Sequence, residues 1–264
     1  MIKNLKLAFL NIHMNIKNAK ELKISFIISI LGMILNNISF LILWYYFGKS
    51  VGIINGWEPT DIFGLYGISG ASYGIIMAFF AGIIQIPTYI SSGIFDKYLT
   101  SPKSILMKVS TSKVSTSAIG DLIYGIICFT IFAIIQKLSI FKILLSLYLV
   151  ILSSIIFYSF FLVAMSISFY LMDGENVSSG LTNIFVSNSL YHGGAFTGIL
   201  RFVFIFIIPS LLLGTIPVEI IKTLSLSKFI TITICTIIWL YFSIKFFYKS
   251  LKKYNSNSLF GFGN

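Results

Sequence analysis

The chain has 264 residues, of which 57% are hydrophobic and only 10% charged, with a formal net charge of +11 and a mean hydropathy of +0.95. Soluble domains carry about a quarter of their residues as charges, so this composition excludes a soluble globular protein and specifies an all-α integral membrane protein. At about 20 residues per crossing, the length suits about six spanning helices and leaves no room for a separate soluble domain. The Lys residues are scattered among apolar runs and gather at the chain ends and in one loop, a distribution that indicates topology and contact with membrane lipids, with no nucleic acid as partner.

Residues 1–23 carry Lys3, Lys6, Lys17, Lys20 and Lys23, while Ile2, Leu5, Phe9, Ile12, Ile16 and Ala19 recur at three- and four-residue steps. This pattern predicts an N-terminal amphipathic helix lying on the membrane surface. The basic region is too long for a secretory signal and the next apolar run lacks a small-residue cleavage site, so the helix is expected to be retained. Residues 24–47 are uncharged and form the first predicted span, with Trp44, Tyr45 and Tyr46 as an interfacial belt. A turn-rich loop with Asn55-Gly56 follows. The second predicted span, 62–89, contains Gly64, Gly67, Gly70, Gly74 and Gly82, which permit close helix contact, and Pro87 near its end.

A polar island from Ser91 to Ser117 interrupts the hydrocarbon. Within it, residues 91–104 form a candidate amphipathic helix, and the remainder is a solvated lead into the third span, 118–136. The fourth span is predicted at 143–172. Residues 177–197 are too rich in Gly and Ser for a good span and read as interfacial or as a broken helix. A short fifth span, 199–213, is interrupted by Pro209. The stretch Gly214 to Ser227, with Pro217, Glu219 and Lys222, reads as interfacial or re-entrant on the far side. The sixth span is 229–247, followed by a Lys-rich flank and a polar tail. Six spans return both termini to one side, and the Lys bias assigns the termini, the island and the start of span five with Arg201 to the cytoplasm.

The chain carries few groups capable of chemistry. Gly48-Lys49-Ser50 resembles the end of a phosphate-binding loop, but Leu43 stands where that loop needs its first glycine. His13 and His192 stand apart, and Cys128 and Cys235 each lie alone in an apolar run, so neither a metal site nor a disulfide is expected. No nucleophile motif accompanies a base, and the serines from Ser110 to Ser117 suit a solvated helix start. The expectation is a chain that is not an enzyme and binds no cofactor. Asp121, after Gly120, reads as a carboxylate near the cytoplasmic interface that pairs with Lys or caps a helix start; the competing role is a proton or substrate relay. Arg201 reads as snorkelling to headgroups from the inner end of its span, with substrate binding as the alternative. Such scarcity of ionisable groups argues for energy supplied from outside the chain. A stand-alone ion-coupled carrier or channel using Asp121 and Arg201 is the alternative.

The N-terminal amphipathic helix, six spans, a loop of the form Gly93-x-x-Asp96-x-x-Leu99-x-x-Pro102, and the pair Pro209 and Pro217 before the last span together resemble an ABC-2-type permease. The loop is similar to the bacterial subfamily pattern Gly-x-Leu-Asp-x-Tyr-Leu-x-x-Pro, with Phe95 in place of Leu and with Asp96, Tyr98, Leu99 and Pro102 matching. The segment Ser189 to His192 departs from that subfamily in lacking a proline. The resemblance implies a multi-pass permease of the bacterial cytoplasmic membrane, paired with a second copy or a sister permease. It implies two docked ATP-binding-cassette subunits that hold ATP and Mg, and outward transport of an amphiphilic, lipid-like, peptide or drug-like substrate. Gly93 to Leu99 would be the coupling helix: Ile94, Phe95, Tyr98 and Leu99 form its apolar patch, Asp96 and Lys97 set its register, and Pro102 ends it.

Overall fold

A computed structural model describes residues 10–12, 14–17, 23–100, 104–171 and 173–254. Pro102, His13 and most of the expected amphipathic helix lie outside them; residues 10–12 and 14–17 are helical. The long helices are α1 (Lys23–Val51), α2 (Asp61–Phe80, continued by a 3-10 turn and by α3, Ile86–Ser91), α6 (Ser117–Ile135), α7 (Ile140–Ser166) and α11 (Leu226–Leu251). The short ones are α4 (Asp96–Leu99), α5 (Ile105–Ser110), α8 (Gly174–Leu190), α9 (Gly198–Phe206) and α10 (Thr215–Thr223). Five stretches are long and apolar enough to cross a membrane: 23–51, 61–91, 117–135, 140–169 and 226–251. The predicted spans one to four and six fall on these stretches.

The centre of the bundle is the antiparallel pair α2 and α6, which glycine brings close together. A Cβ at Gly67 would stand 2.7 Å from the backbone of Phe129, and one at Gly74 would stand 2.6 Å from that of Leu122. Small residues matter here because helices in lipid gain no hydrophobic drive to associate and rely on close packing. Helix α7 packs against α2 through serines that also bond across the gap. Ser72 Oγ donates to the Val150 carbonyl at 3.1 Å, and on another side of α7 Ser153 Oγ donates to the carbonyl of Leu212, in the turn after α9, at 3.0 Å. Phe157, Phe160 and Phe161 of α7 surround the fully buried Phe185 of α8, with Phe160 stacked on it at 3.9 Å between centroids.

The third quarter of the chain differs from the sequence expectation. Residues 174–190, too polar to be recognised as a span, form one unbroken helix, α8, about 25 Å long at 1.5 Å per residue. Glu175 at its start accepts a bond from Thr88, and its last residue, Leu190, accepts one from Tyr66. It therefore runs the length of the bundle. Its polar residues are tolerated because one face, with Ser178 and Phe185, packs against α7, where Ser178 Oγ donates to the Ala164 carbonyl. Residues 199–213, the expected fifth span, are broken instead. Helix α9 stops at Phe206, since Pro209 has no N–H to donate and disfavours helical backbone before it. The chain then reverses through Gly214 into α10, with Pro217 in its first turn, where a missing N–H costs nothing.

Candidate functional site

One end of the bundle, marked by Trp57, gathers most of the described acids that make ion pairs. The loop between α1 and α2 turns at Asn55 and Gly56, both with positive φ, and backbone bonds between Ile54 and Trp57 close it as a tight hairpin. This turn presents Trp57, whose indole Nε1 donates to Glu219 at 3.1 Å. The same carboxylate pairs with Arg201 at 2.6 Å and with Lys228 at 2.7 Å. Burial alone would raise the Glu219 carboxyl, but the two cations and the indole hold it below its ordinary range. Beside it, Lys222 reaches the fully buried Asp61, which also accepts the Glu58 backbone N–H and so closes the first turn of α2. His192 lies edge-on to Trp57, with ring centroids 5.3 Å apart. Its burial lowers the imidazole pKa and keeps the ring neutral. The network clamps α9 and α10 onto the hairpin and the start of α11.

Arg201 is held in this network. It lies at the Trp57 end, engaged by Glu219. Of the residues anticipated as pathway or structural, Arg201 and Glu219 meet directly, while Pro209 and Pro217 shape the reversal that brings them together. Asp61, Lys222 and Lys228 were not anticipated; they stand singly in sequence, and only the fold pairs them.

The opposite end carries the island. After α3, Gly93 takes a positive φ of 71°, and the chain folds into the four-residue helix α4. Phe95 is fully buried against Phe169 and Tyr254, and Tyr98 is 7% exposed beside Tyr89. The expected four-residue apolar patch is thus divided. Phe95 and Tyr98 face inward and fix the element to the bundle, while Ile94 and Leu99, 43% and 40% exposed, face out. Asp96 lies against the Tyr254 hydroxyl; burial and then this carboxylate push the phenol up to about 12. Lys97 lies over the Tyr98 ring at 4.9 Å. Asn11 and Asn15 bond to Thr111 and Ser112 at the end of α5, so the N-terminal segment touches the same polar island.

Between the two ends, α1, α2, α6, α7 and α8 enclose a cavity of about 210 Å3. Asp121 lines it, 5% exposed, and accepts a 2.6 Å bond from Asn37 Nδ2. The expected pairing with Lys or capping of a helix start is not observed: Asp121 lies a full turn inside α6, and no ion pair among the described residues includes it. Tyr66, Tyr73 and Tyr124 add aromatic walls. The signal for this cavity was present in sequence as Asn36-Asn37, the only amide pair within an otherwise apolar span.

Among the described residues no three His, Cys, Asp or Glu side chains converge as a metal site. Comparison with curated proteins and with solved structures found no match. The family model for "ABC-2 family transporter protein" matches residues 33–258, which takes in most of α1, the other four membrane-length stretches whole and both ends of the bundle. A match of that extent identifies the chain as a member of the ABC-2 transporter family.

Proposed function

We propose that the chain is the permease subunit of an ATP-driven exporter in a bacterial cytoplasmic membrane, with the Phe95 end in the cytoplasm. A separate ATP-binding-cassette subunit holds ATP and Mg; this chain supplies the path and no catalysis. The reading rests on the segment Gly93 to Leu99. It is held to the bundle by Phe95, which contacts Phe169 just after α7 and Tyr254 just after α11, and by Tyr98, which contacts Tyr89 of α3, while Ile94 and Leu99 remain outward. A force applied to Ile94 and Leu99 from outside is thereby transmitted to α3, α7 and α11 together. Such a rigid handle converts closure of an attached motor into rocking of helix bundles.

In this arrangement α8 is the fifth crossing and α9 with α10 form a re-entrant pair on the outer side. Helix α8 exposes Ser179, Asn183 and Ser187 at four-residue spacing, a polar stripe on one face. Lipid does not satisfy such a stripe, so a second permease copy or a sister permease covers it. The substrate is amphiphilic: lipid-like, peptide or drug-like.

The test is co-purification from native membranes. Tagged wild-type protein brings down an ATP-hydrolysing subunit and hydrolyses nothing once that subunit is stripped away. Ile94→Asp with Leu99→Asp, both outward-facing, releases the subunit without loss of membrane insertion; undiminished ATPase recovery with that variant overturns the coupling role.

One observation favours a second reading, a carrier working alone: the buried Asp121 in its cavity. Arg201 takes no part in it, being paired at the Trp57 end. Transport by proteoliposomes that lack any ATPase, abolished by Asp121→Asn, would establish the carrier in place of the exporter.

A further inference from the structure

Building on the permease reading, we propose that the cavity beside Asp121 binds the cationic head of an amphiphilic substrate, an organic ammonium or a comparable diffuse cation. Three independent features converge on this chemistry. The first is charge. Asp121 lies inside the bundle, one oxygen held by Asn37, and no Lys or Arg lines the cavity. A carboxylate kept from water and from any resident cation is costly in a membrane interior, and an arriving positive charge relieves that cost. An anion entering the same space would meet only repulsion from the carboxylate.

The second feature is aromatic surface. Tyr66, Tyr73 and Tyr124 line the cavity with Phe40 and Phe157, and ring faces attract ammonium groups, most strongly where water is excluded. Tyr66 and Tyr124 contact one another at 6.4 Å, and Tyr73 is braced by Phe157 and Phe161, so the walls are set before a ligand arrives. The buried Tyr124 hydroxyl makes no hydrogen bond of ordinary geometry among the described residues. Its neighbour there is the Cys128 thiol, a weak hydrogen-bonding partner.

The third feature is shape. A volume of about 210 Å3 holds a head group and excludes a folded peptide or a whole lipid. Asn36 and Phe40 of α1 line the cavity yet are exposed, so its mouth lies on the side between α1 and α8. An apolar tail extends from that mouth while the head stays with Asp121. The polar stripe of α8 lies on the same helix as the cavity residues Val186, Ser189 and Leu190.

The probe is radiolabelled decyltrimethylammonium, measured against the full chain in nanodiscs with protein-free nanodiscs subtracted, and compared with decyldimethylamine oxide, which has the same tail and no net charge. The wild type binds the ammonium in preference to the amine oxide. Asp121→Asn, nearly isosteric, weakens ammonium binding by roughly tenfold or more, the scale of one charge-assisted contact. Phe40→Ala provides the second arm: the ring lines the mouth and is 48% exposed, and its removal lowers ammonium affinity while leaving Asp121 in place and α1 apolar. Equal affinity for the two probes, or unchanged ammonium binding in both variants, overturns the proposal. Binding is read without any ATPase present. Capture of an ATP-binding subunit without cation binding therefore removes the site and leaves the permease standing. Cation binding without such capture leaves the site and removes the permease.

Discussion

Glu219→Gln is the most exacting perturbation of the Trp57 end. Gln keeps the length of the side chain and an oxygen for the Trp57 indole, so the change removes charge and little else. Two ionic contacts are lost. The Arg201 side chain is 28% exposed and bonds at 2.6 Å, which places it near the lower limit for a hydrogen bond to a charged group, about 1.5 kcal/mol. Lys228, 36% exposed at 2.7 Å, is screened by solvent and contributes about 0.5 kcal/mol. The expected destabilisation is about 2 kcal/mol. A double-mutant cycle with Arg201→Gln isolates the pair, read as thermal unfolding of detergent-solubilised protein. The cycle should return a coupling of about 1–1.5 kcal/mol. The sign of the pH response follows from the lowered folded carboxyl. The contribution is complete above the ordinary carboxylate range and is lost as pH falls through the lowered folded value, so the wild type approaches the variant only in strong acid. Additive single substitutions, within about 0.5 kcal/mol, would refute the reasoning.

Three further outcomes follow from other parts of the structure. His192 is held neutral by burial, so the unfolded chain binds the extra proton first; stability is full above the ordinary imidazole range and falls as pH drops below it, and His192→Gln flattens that slope in acid unfolding curves. Gly74→Val, whose Cβ has no room against Leu122, forces α2 from α6 at a cost of about 1–3 kcal/mol and lowers the midpoint of thermal aggregation, whereas Gly180→Ala, with open space around it, leaves the midpoint unchanged. Ile94→Ala with Leu99→Ala weakens capture of the ATP-binding subunit while leaving the thermal midpoint within about 1 °C, because both side chains face outward; Phe95→Ala lowers the midpoint itself by several degrees, at a cost of about 3–5 kcal/mol for emptying a buried aromatic site.

The sequence is most informative where hydrophobicity and turn chemistry act locally. Apolar runs located α1, α2, α6, α7 and α11, Asn55-Gly56 located the hairpin, and the loop motif pointed to the place of α4, although only Asp96–Leu99 of the expected helix over 91–104 forms one there. Reasoning from local pattern failed at residues 174–213 for a physical reason. Helix α8 is polar on its exposed face, so hydropathy rejects it, while α9 is apolar enough to pass as a span although Pro209 prevents it from continuing. The division of Phe95 and Tyr98 from Ile94 and Leu99 was also hidden, because a four-residue helix has no periodicity to read. Pairings such as Asp61 with Lys222 depend on the reversal at Gly214 and leave no trace in spacing. Asn36-Asn37 was readable as an anomaly, but its partner Asp121 is supplied by another helix.

The central claim is that an external motor grips the outward side of Gly93 to Leu99. Photo-crosslinking amino acids placed at Ile94 and at Leu99 in native membranes test it, with Ile53, 71% exposed near the Trp57 end, as control. The account predicts that positions 94 and 99 each capture an ATP-binding subunit and that position 53 does not. Capture from Ile53, or none from Ile94 and Leu99 while the complex co-purifies, would contradict it.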